Sequence, residues 1–283
     1  DTRLREVRLL SPFVLRSVDP PPSALIRKKV RSVRRLGKQI VIGFDDELFL
    51  VVHLMIAGRL QWREREAALG GKIALAAFDF TSGTLILTEA GSKKRASLHF
   101  VRGREALRLF DRHALEVMEC SLQEFEWVLR RENHTLKRSL TDPRLFSGIG
   151  NAFSDEILHH AQFSPMKQTS RLSNEESRRL WESTRSVLSE WTDRLRRQTG
   201  AGFPSKVTAF RPEMAVHGRY GKPCPRCGAP VQRIVYAENE CNYCAPCQTE
   251  GRLLADRALP RLLKEDWPRS LDELEKHFDS RRG

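Results

Sequence analysis

"CPRCGAPVQRIVYAENECNYCAPC", Cys224–Cys247, is the stretch that decides the fold of the C-terminal part of the chain. It holds two C-x2-C pairs, Cys224/Cys227 and Cys244/Cys247, with 16 residues between them. Each pair turns tightly enough to give two thiolates, so the spacing predicts one tetrahedral Zn²⁺, with an iron–sulfur centre as the alternative. Because protein would fill all four positions, such a metal is structural and leaves no place for an activated water.

The residues between the two pairs are long enough for a β-hairpin, whose tip is expected near Glu238 and Asn239. Cys241 lies at an odd spacing on this hairpin, and we interpret it as a bystander rather than a ligand. We therefore assign residues 218–248 to a zinc finger that stiffens a hairpin. In a basic protein, such a hairpin can probe nucleic acid.

The charge of the chain points to a polyanionic partner. Its 283 residues carry a net charge of +13 with a pI near 9.9, which favours binding by counterion release. Nucleic acid is the first candidate, and an acidic membrane is a distant second because no basic amphipathic helix stands out. No signal peptide is visible, the longest apolar run is too short to span a bilayer, and clustered cysteines indicate a reducing compartment.

The N-terminal part has the pattern of an antiparallel β-sandwich or barrel, which we assign to residues 1–112. Turn signals separate short apolar runs of strand length: "REVRLL", "KQIVIGF", "ELFLVVHLMIAG", "KIALAAFDF" and "GTLILTEAG". The segment from Arg27 to Lys38 has seven cationic residues and no acid. It is either a solvated edge strand or a stripe that faces phosphates.

The pattern becomes helical from about Ser121, and we assign residues 121–215 to a helical domain. "SLQEFEWVLRRENHTLKRSL" (121–140) has a helical pattern that starts with Ser121 as an N-cap, and Ser173 with Glu176 predicts a capping box. "TDPRLFSGIGN" (141–151) is a turn with two glycines between helices. Residues 249–283 form a C-terminal helical extension, so the fold class is α+β with several domains.

Four motifs, taken with this domain order, resemble the formamidopyrimidine-DNA glycosylase and endonuclease VIII family over residues 2–248. "RRLGKQIVI" (34–42) is similar to the family's Arg-Arg-x-x-Lys strand, and "HLMIAGRL" (53–60) to its His-Leu-Gly-Met-Ser-Gly stretch. "DPRLFSGIGNAFSDEIL" (142–158) resembles its helix-two-turn-helix, and "AVHGRYGKPCPRCG" (215–228) the approach to its zinc finger. The resemblance implies an N-terminal β-sandwich, a helix-two-turn-helix domain and a zinc-ribbon hairpin.

The resemblance implies base excision repair. A monomeric DNA glycosylase with AP lyase activity would flip an oxidised or modified base out of double-stranded DNA, cleave its glycosidic bond and nick the strand, and would also act on abasic sites. In this family an N-terminal proline amine attacks the sugar carbon and a neighbouring glutamate serves as acid and base. The expected location is the bacterial cytoplasm, in association with the nucleoid.

The beginning of the chain departs from this pattern. "DTRLREVRLL" resembles the family's first strand, so we expect the preceding helix with its Pro-Glu pair to be missing, and Asp1 cannot replace the proline. A truncated N-terminus is the simpler account. The alternative is a homologue that binds damaged DNA without catalysis, and a zinc-ribbon RNA or transcription factor is a second rival that needs only the charge and the cysteines.

Four residues match positions that contact DNA phosphates in the family. Lys38 resembles a strand lysine that binds the phosphate next to the lesion and assists elimination, against the alternative of a solvated lysine. His53 matches a phosphate-contacting histidine, although a histidine among apolar residues is by default packed in a core. Asn151 matches an asparagine that bonds a lesion-flanking phosphate, and is otherwise an N-cap. Lys137 resembles a further phosphate contact.

Three features of the family are not matched, and they leave the lesion and the opposite base open. Ile56 replaces an intercalating methionine, with Met55 beside it, and either gives an apolar wedge. The Arg-x-Phe loop that fills the void has no clear counterpart near "TEAGSKKRASLHF" (88–100). At the hairpin tip a position near Asn239 replaces the arginine that grips DNA, and Arg233 on the same hairpin can partly compensate.

Overall fold

The computed structural model describes residues 2–69, 71, 73–91, 93–204, 207–236, 239–254, 270 and 273. The chain divides into two units. The β unit consists of Asp1–Ala114 and Gln198–Val207, and the helical unit consists of Leu115–Arg197 and Thr208–Gly283.

Two antiparallel four-stranded sheets make up the β unit, which confirms the predicted sandwich. The strands are β1 Leu4–Leu9, β2 Val30–Leu36, β3 Gln39–Phe44, β4 Leu48–His53, β5 Gly58–Arg63, β6 Ala74–Phe80, β7 Gly83–Glu89 and β8 Ser97–Arg102. One sheet has the strand order β1-β6-β7-β5, and the other has the order β2-β3-β4-β8.

Strand β4 is apolar on both faces because both faces of its sheet are covered. Leu50 packs in the core between the sheets, against residues such as Phe78 of the opposite sheet. Val51 points the other way, since neighbouring strand residues alternate, and packs with Leu107 of helix α1 (Arg104–Arg108). The continuous apolar run therefore fits one strand, and His53 stands at its end.

The helical unit contains α2 Leu122–Arg130, α3 Leu136–Thr141, α4 Asn151–His160 and α5 Asn174–Thr199. The capping boxes of Ser121 with Glu124 and of Ser173 with Glu176 are formed. The helical pattern over residues 121–140 is divided between two helices, because α2 ends at Arg130 and α3 begins at Leu136. The Thr135 hydroxyl accepts a hydrogen bond from the Arg138 N–H at 3.4 Å and so provides a second N-cap.

A four-cysteine module follows the helices. Its strands β9 (Gln232–Tyr236) and β10 (Asn239–Tyr243) form the predicted antiparallel hairpin, and helix α6 (Ala245–Thr249) follows. The predicted tip at Glu238, the side chain of Asn239 and most of the extension beyond residue 254 lie outside the described residues. None of the helices in the described part of the chain combines the length and apolar character that crossing a bilayer requires.

Candidate nucleic-acid interface and metal centre

Lys38 and His53 are brought together by strand pairing in the β unit. His53 lies opposite Gln39 in the β3–β4 ladder, and Lys38 directly precedes Gln39. Arg112 lies close enough that its charge acts on both. The sequence pattern therefore places two predicted phosphate contacts side by side, and the structure adds a third cation that the motifs did not indicate. We call these three residues the cation cluster.

The cation cluster has no acidic partner among the described residues. Desolvation and then the charge of Arg112 lower the pKa of Lys38, although the residue as a whole stays exposed. Burial, followed by the charges of Lys38 and Arg112, lowers the pKa of His53. Within the described residues none of the three has a side-chain hydrogen bond or ion pair. Two like charges, beside a histidine whose protonation they disfavour, form a surface that an anion would stabilise.

His99 extends this surface along strand β8. It lies opposite Val51 in the β4–β8 ladder, and its ring meets Phe110 edge-on with 4.9 Å between ring centres. Burial and the charges of Arg16 and His53 lower the pKa of His99. His53 is therefore not packed in the core between the sheets; it is half-buried beside other cationic groups.

The first part of the basic segment 27–38 differs from the cation cluster, because two of its cations are paired with acidic side chains. Strand β2 is an exposed edge strand, and two of the cations around it are paired with the acidic turn after β3. Lys28 is hydrogen-bonded to Asp46, and the Arg31 Nε is 2.6 Å from the Asp45 carboxylate. This end of the basic segment is partly neutralised, so the solvated-edge interpretation fits it better than a phosphate stripe.

The turn between β4 and β5 presents the predicted apolar wedge. Ile56 is 74% exposed, and Met55 beside it is 44% exposed. Met55 has φ = 53°, a left-handed conformation that a non-glycine residue rarely adopts. The structure thus leaves both side chains accessible, and their intercalation stays a prediction.

Lys137 lies in the interior of the helical unit. Its ammonium donates to the Asp155 carboxylate at 2.6 Å and to the Asn151 carbonyl at 2.8 Å. The other Asp155 oxygen accepts a hydrogen bond from the His217 Nδ1 at 2.8 Å. Asp155 is fully buried, and the Lys137 side chain is only 13% exposed. Two of the three ammonium protons are used internally, which leaves one for another partner.

Glu156, the neighbour of Asp155 on α4, fixes the segment that leads into the four-cysteine module. Its carboxylate accepts hydrogen bonds from three successive backbone N–H groups, those of Ala215, Val216 and His217, at 2.7–2.9 Å. Hydrogen bonds to a charged acceptor are stronger than neutral ones. A buried carboxylate on a helix thereby holds the approach to the first C-x2-C pair.

Asn151 is the first residue of α4, and Gly150 takes the N-cap position. The interpretation of Asn151 as an ordinary N-cap is therefore wrong. Its side-chain amide instead donates to the backbone carbonyl of Glu240 on β10 at 2.8 Å. The preceding turn is possible because Gly148 adopts φ = 79°, which glycine tolerates without strain. The second amide proton of Asn151 remains for a phosphate, and that role stays a prediction.

Cys224, Cys227, Cys244 and Cys247 form the metal-binding group predicted from the sequence. None is in a disulfide, and their four sulfur atoms lie within 4.8 Å of one another. The Cys224–Cys247 and Cys227–Cys244 sulfur distances are 4.0 and 3.4 Å. Four sulfurs about 2.3 Å from one tetrahedral ion are about 3.8 Å apart. The residues present therefore fit a tetrahedral metal such as zinc.

Cys241 and Arg233 lie on the hairpin outside this group. Cys241 is buried and not part of the four-sulfur set, and burial, reinforced by the charge of Asp155, raises the pKa of its thiol. Arg233 lies over the Tyr220 ring at 4.3 Å and 3.7 Å from the Glu240 carboxylate. Arg233 pairs with Asn242, whereas the last described pair of the hairpin is Tyr236 with Asn239. Three strand residues, about 10 Å, therefore separate Arg233 from that last pair. Its ability to replace a tip arginine stays a prediction.

Sequence reasoning missed several residues that the structure brings together. Arg112 is a single arginine in "FDRHAL" and carries no pattern that could have marked it. The buried polar residues of α4 had a signal in the sequence, since two adjacent acids and two histidines flank the apolar pair Ile157 and Leu158 in "SDEILHH". On a helix with nearly all its sides buried, such residues need partners, and they are found in His217, Lys137 and the backbone of 215–217.

Comparison with known proteins agrees with this architecture. The Formamidopyrimidine-DNA glycosylase N-terminal domain matches residues 1–109, and the Formamidopyrimidine-DNA glycosylase H2TH domain matches residues 114–198. The formamidopyrimidine-DNA glycosylase of Thermus thermophilus is 40% identical over 237 residues, which cover 79% of this chain and 84% of that protein.

Two solved structures of the Lactococcus lactis enzyme share the fold at 23% identity. One is a complex with DNA that contains Fapy-dG, with a TM-score of 0.75 and coverage of 88% of this chain and 93% of that chain. The other is a complex with DNA that contains an abasic site, with a TM-score of 0.75 and coverage of 88% and 92%. The fold defines a helix-two-turn-helix protein with a four-cysteine module. The chain belongs to the formamidopyrimidine-DNA glycosylase family.

Proposed function

We propose that this protein is a base excision repair DNA glycosylase with associated AP lyase activity, acting on double-stranded DNA with an oxidised base or an abasic site. The cation cluster of Lys38, His53 and Arg112 carries the proposal. Among the described residues these three side chains have no acidic partner, so they offer a binding site for an anion such as a DNA phosphate. A phosphate oxygen among these groups would relieve the repulsion between Lys38 and Arg112 and favour protonation of His53.

The proposed roles follow from the free donors of each residue. Lys38 and His53 would hold the phosphate next to the lesion, and Lys38 would assist elimination once a Schiff base has formed. Asn151 would donate its second amide proton to a neighbouring phosphate, and Lys137 its third ammonium proton. Ile56, which is exposed on its turn, would enter the base stack as an apolar wedge.

The four cysteines are proposed to hold one Zn²⁺, which supplies folding free energy to the module and takes no part in the reaction. The module then presents its hairpin, with Arg233 and Asn239, to the duplex. We expect a monomer that works on chromosomal DNA in the bacterial cytoplasm.

The experiment compares two lysines of the same basic segment in protein produced from the natural start of its gene. Lys38→Gln removes a member of the cation cluster, whereas Lys28→Gln removes a lysine that Asp46 already neutralises. We expect Lys38→Gln to weaken binding to lesion DNA and to reduce the slope of log K against log salt by about 1. Lys28→Gln should change the slope much less.

Borohydride trapping on the same DNA tests the enzymatic step, because it reduces a Schiff base to a stable adduct. The proposal expects an adduct with the unaltered protein and slower trapping with Lys38→Gln. Tight binding to damaged DNA without any adduct would instead indicate a non-catalytic damaged-DNA-binding homologue. Binding that ignores both damaged bases and abasic sites would favour a zinc-ribbon nucleic-acid-binding factor.

A further inference from the structure

The metal module is held by helix α4 at two places. At the first turn, the Asn151 amide donates to the Glu240 carbonyl of β10. At the last turn, the His159 Nε2 lies 3.3 Å from the Cys224 sulfur. Eight residues at about 1.5 Å each separate these positions by about 12 Å along the helix. One rigid helix therefore contacts both the hairpin backbone and a metal-binding sulfur.

His159 is buried, and its Nε2 hydrogen-bonds to a cysteine sulfur. It is 5% exposed, and among the described residues the sulfur of Cys224 is the hydrogen-bond partner of its Nε2. A metal-bound thiolate carries no proton, so the ring nitrogen must supply it and act as the donor. The backbone N–H of Arg226 donates to the same sulfur at 3.4 Å. Cys224 thus receives two hydrogen bonds, one from its own loop and one from α4.

We propose that His159 is a positioning residue for the metal centre, which orients the Cys224 thiolate and couples metal binding to the placement of Asn151 through α4. The inference rests on the proposed zinc site and not on the glycosylase reaction. Hydrogen bonds from the surrounding shell fix the orientation of metal ligands and tune their basicity. Asn151, the predicted phosphate contact, lies at the other end of the same helix. A weakened metal centre should therefore displace Asn151 and lower the affinity for DNA.

The test uses two replacements at His159 and one at its neighbour. His159→Gln keeps an N–H donor on a side chain of similar reach. His159→Leu fills the buried space with an apolar side chain that has no donor. His160→Leu is the matched control, because His160 is adjacent on α4 but exposed. All three proteins are loaded with Zn²⁺ and titrated with a chelator, and each is also loaded with Co²⁺ for absorption spectroscopy.

We expect His159→Leu to lower zinc affinity 10- to 100-fold, while His159→Gln recovers most of it and His160→Leu has no effect. The sulfur-to-cobalt charge-transfer band should move to longer wavelength in His159→Leu, because a lost hydrogen bond raises the energy of the sulfur electrons. A merely space-filling role would leave this band in place. Equal zinc affinities and equal spectra for His159→Leu and the unaltered protein would overturn the proposal.

A measurement on the unaltered protein covers the case in which His159→Leu does not fold. With ¹¹³Cd in the site, a hydrogen bond from the His159 ring N–H to Cys224 should give a scalar coupling between that proton and the metal. A ring proton that exchanges rapidly and shows no coupling would refute the hydrogen bond directly.

The coupling to DNA is read separately from the metal. Zinc-loaded His159→Leu should bind lesion DNA several-fold more weakly than His160→Leu does. Unchanged DNA affinity together with weakened zinc binding would reject the coupling through α4. If the unaltered protein fails to bind damaged DNA at all, the proposed function fails while the zinc and cobalt results keep their meaning.

Discussion

Lys137 lies inside the helical unit between a carboxylate and a carbonyl, whereas Lys38 lies on the β unit beside an arginine and a histidine with no acid bonded to it. Sequence resemblance gave both lysines the same role, contact with a DNA phosphate. The difference teaches that a matched motif position does not fix what a side chain does in the free protein. Lys137 builds the interior of the fold, and Lys38 is left available to a ligand.

The contrast has an energetic side. Removing one partner from a buried ion pair leaves an uncompensated charge, so single replacements around Asp155 should lower stability strongly. Lys38 and Arg112 repel each other, and their charges disfavour protonation of His53; such an arrangement costs stability and is tolerated where it binds an anion. Variants in the two regions should therefore differ in kind: stability changes in one and DNA binding in the other.

The largest effect should come from the metal module that α4 holds. Cys244→Ser removes one of four thiolates, and we expect loss of one equivalent of metal and unfolding of the hairpin, because zinc sites of this type contribute about 10–16 kcal/mol to folding. Metal analysis and circular dichroism measure both. Cys241→Ser is the control, since that buried thiol is not one of the four; a Cys244→Ser protein that keeps its metal would contradict the site.

The next effect tests the paired interior itself. Asp155→Asn leaves the Lys137 ammonium without its counter-charge, and we expect the helical unit to lose about 3–5 kcal/mol in urea denaturation. The double variant Lys137→Met/Asp155→Leu removes both charges and should recover part of that loss. If Asp155→Asn is as stable as the unaltered protein, the interior pair is not what stabilises this region.

The sequence predicted the architecture well because local patterns carry it. Short apolar runs between turn signals predicted the sandwich, and the two cysteine pairs predicted the hairpin. The helical pattern of residues 121–140 did not mark the break between α2 and α3, which Thr135 makes as a second N-cap. Motif matching gave Lys38 and His53, which strand pairing indeed brings together.

What the sequence could not give are contacts between residues far apart along the chain. Asp155 and His217 are 62 positions apart, and His159 and Cys224 are 65 apart. No periodicity links such pairs, since they depend on how loops return to a helix. The sequence also offered Asn151 as an N-cap, a local role, whereas its actual partner is a hairpin carbonyl 89 positions away.

Asn151 combines the properties of the two lysines. Like Lys137 it makes an internal hydrogen bond, and like Lys38 it is predicted to contact a DNA phosphate. Asn151→Ala should weaken binding to lesion DNA by about 1–3 kcal/mol, as expected for a lost hydrogen bond to a charged group. Fluorescence anisotropy at fixed salt measures it. Asn174→Ala on the exposed start of α5 should leave affinity unchanged, and an equally unaffected, folded Asn151→Ala protein would reject the phosphate role.

The smallest effect should appear in the pH dependence of DNA binding, and it comes from the histidines of the β unit's cationic surface, chiefly His53. Burial and the charges of Lys38 and Arg112 lower the pKa of His53, so the free protein carries it mostly neutral at pH 7. A phosphate favours the protonated ring, and binding then takes up a proton. Affinity should therefore rise as the pH falls from about 7.5 to 5.5, by less than tenfold per pH unit.

His99 shares this surface and also has a lowered pKa, so His53→Gln should flatten the pH profile without abolishing it. His113→Gln, at an exposed histidine near Asp111, should leave the profile as it is. A profile that rises with pH, or one that His53→Gln does not alter, would show that His53 does not meet a phosphate. The unpaired cations of the β unit would then need another anion as their ligand.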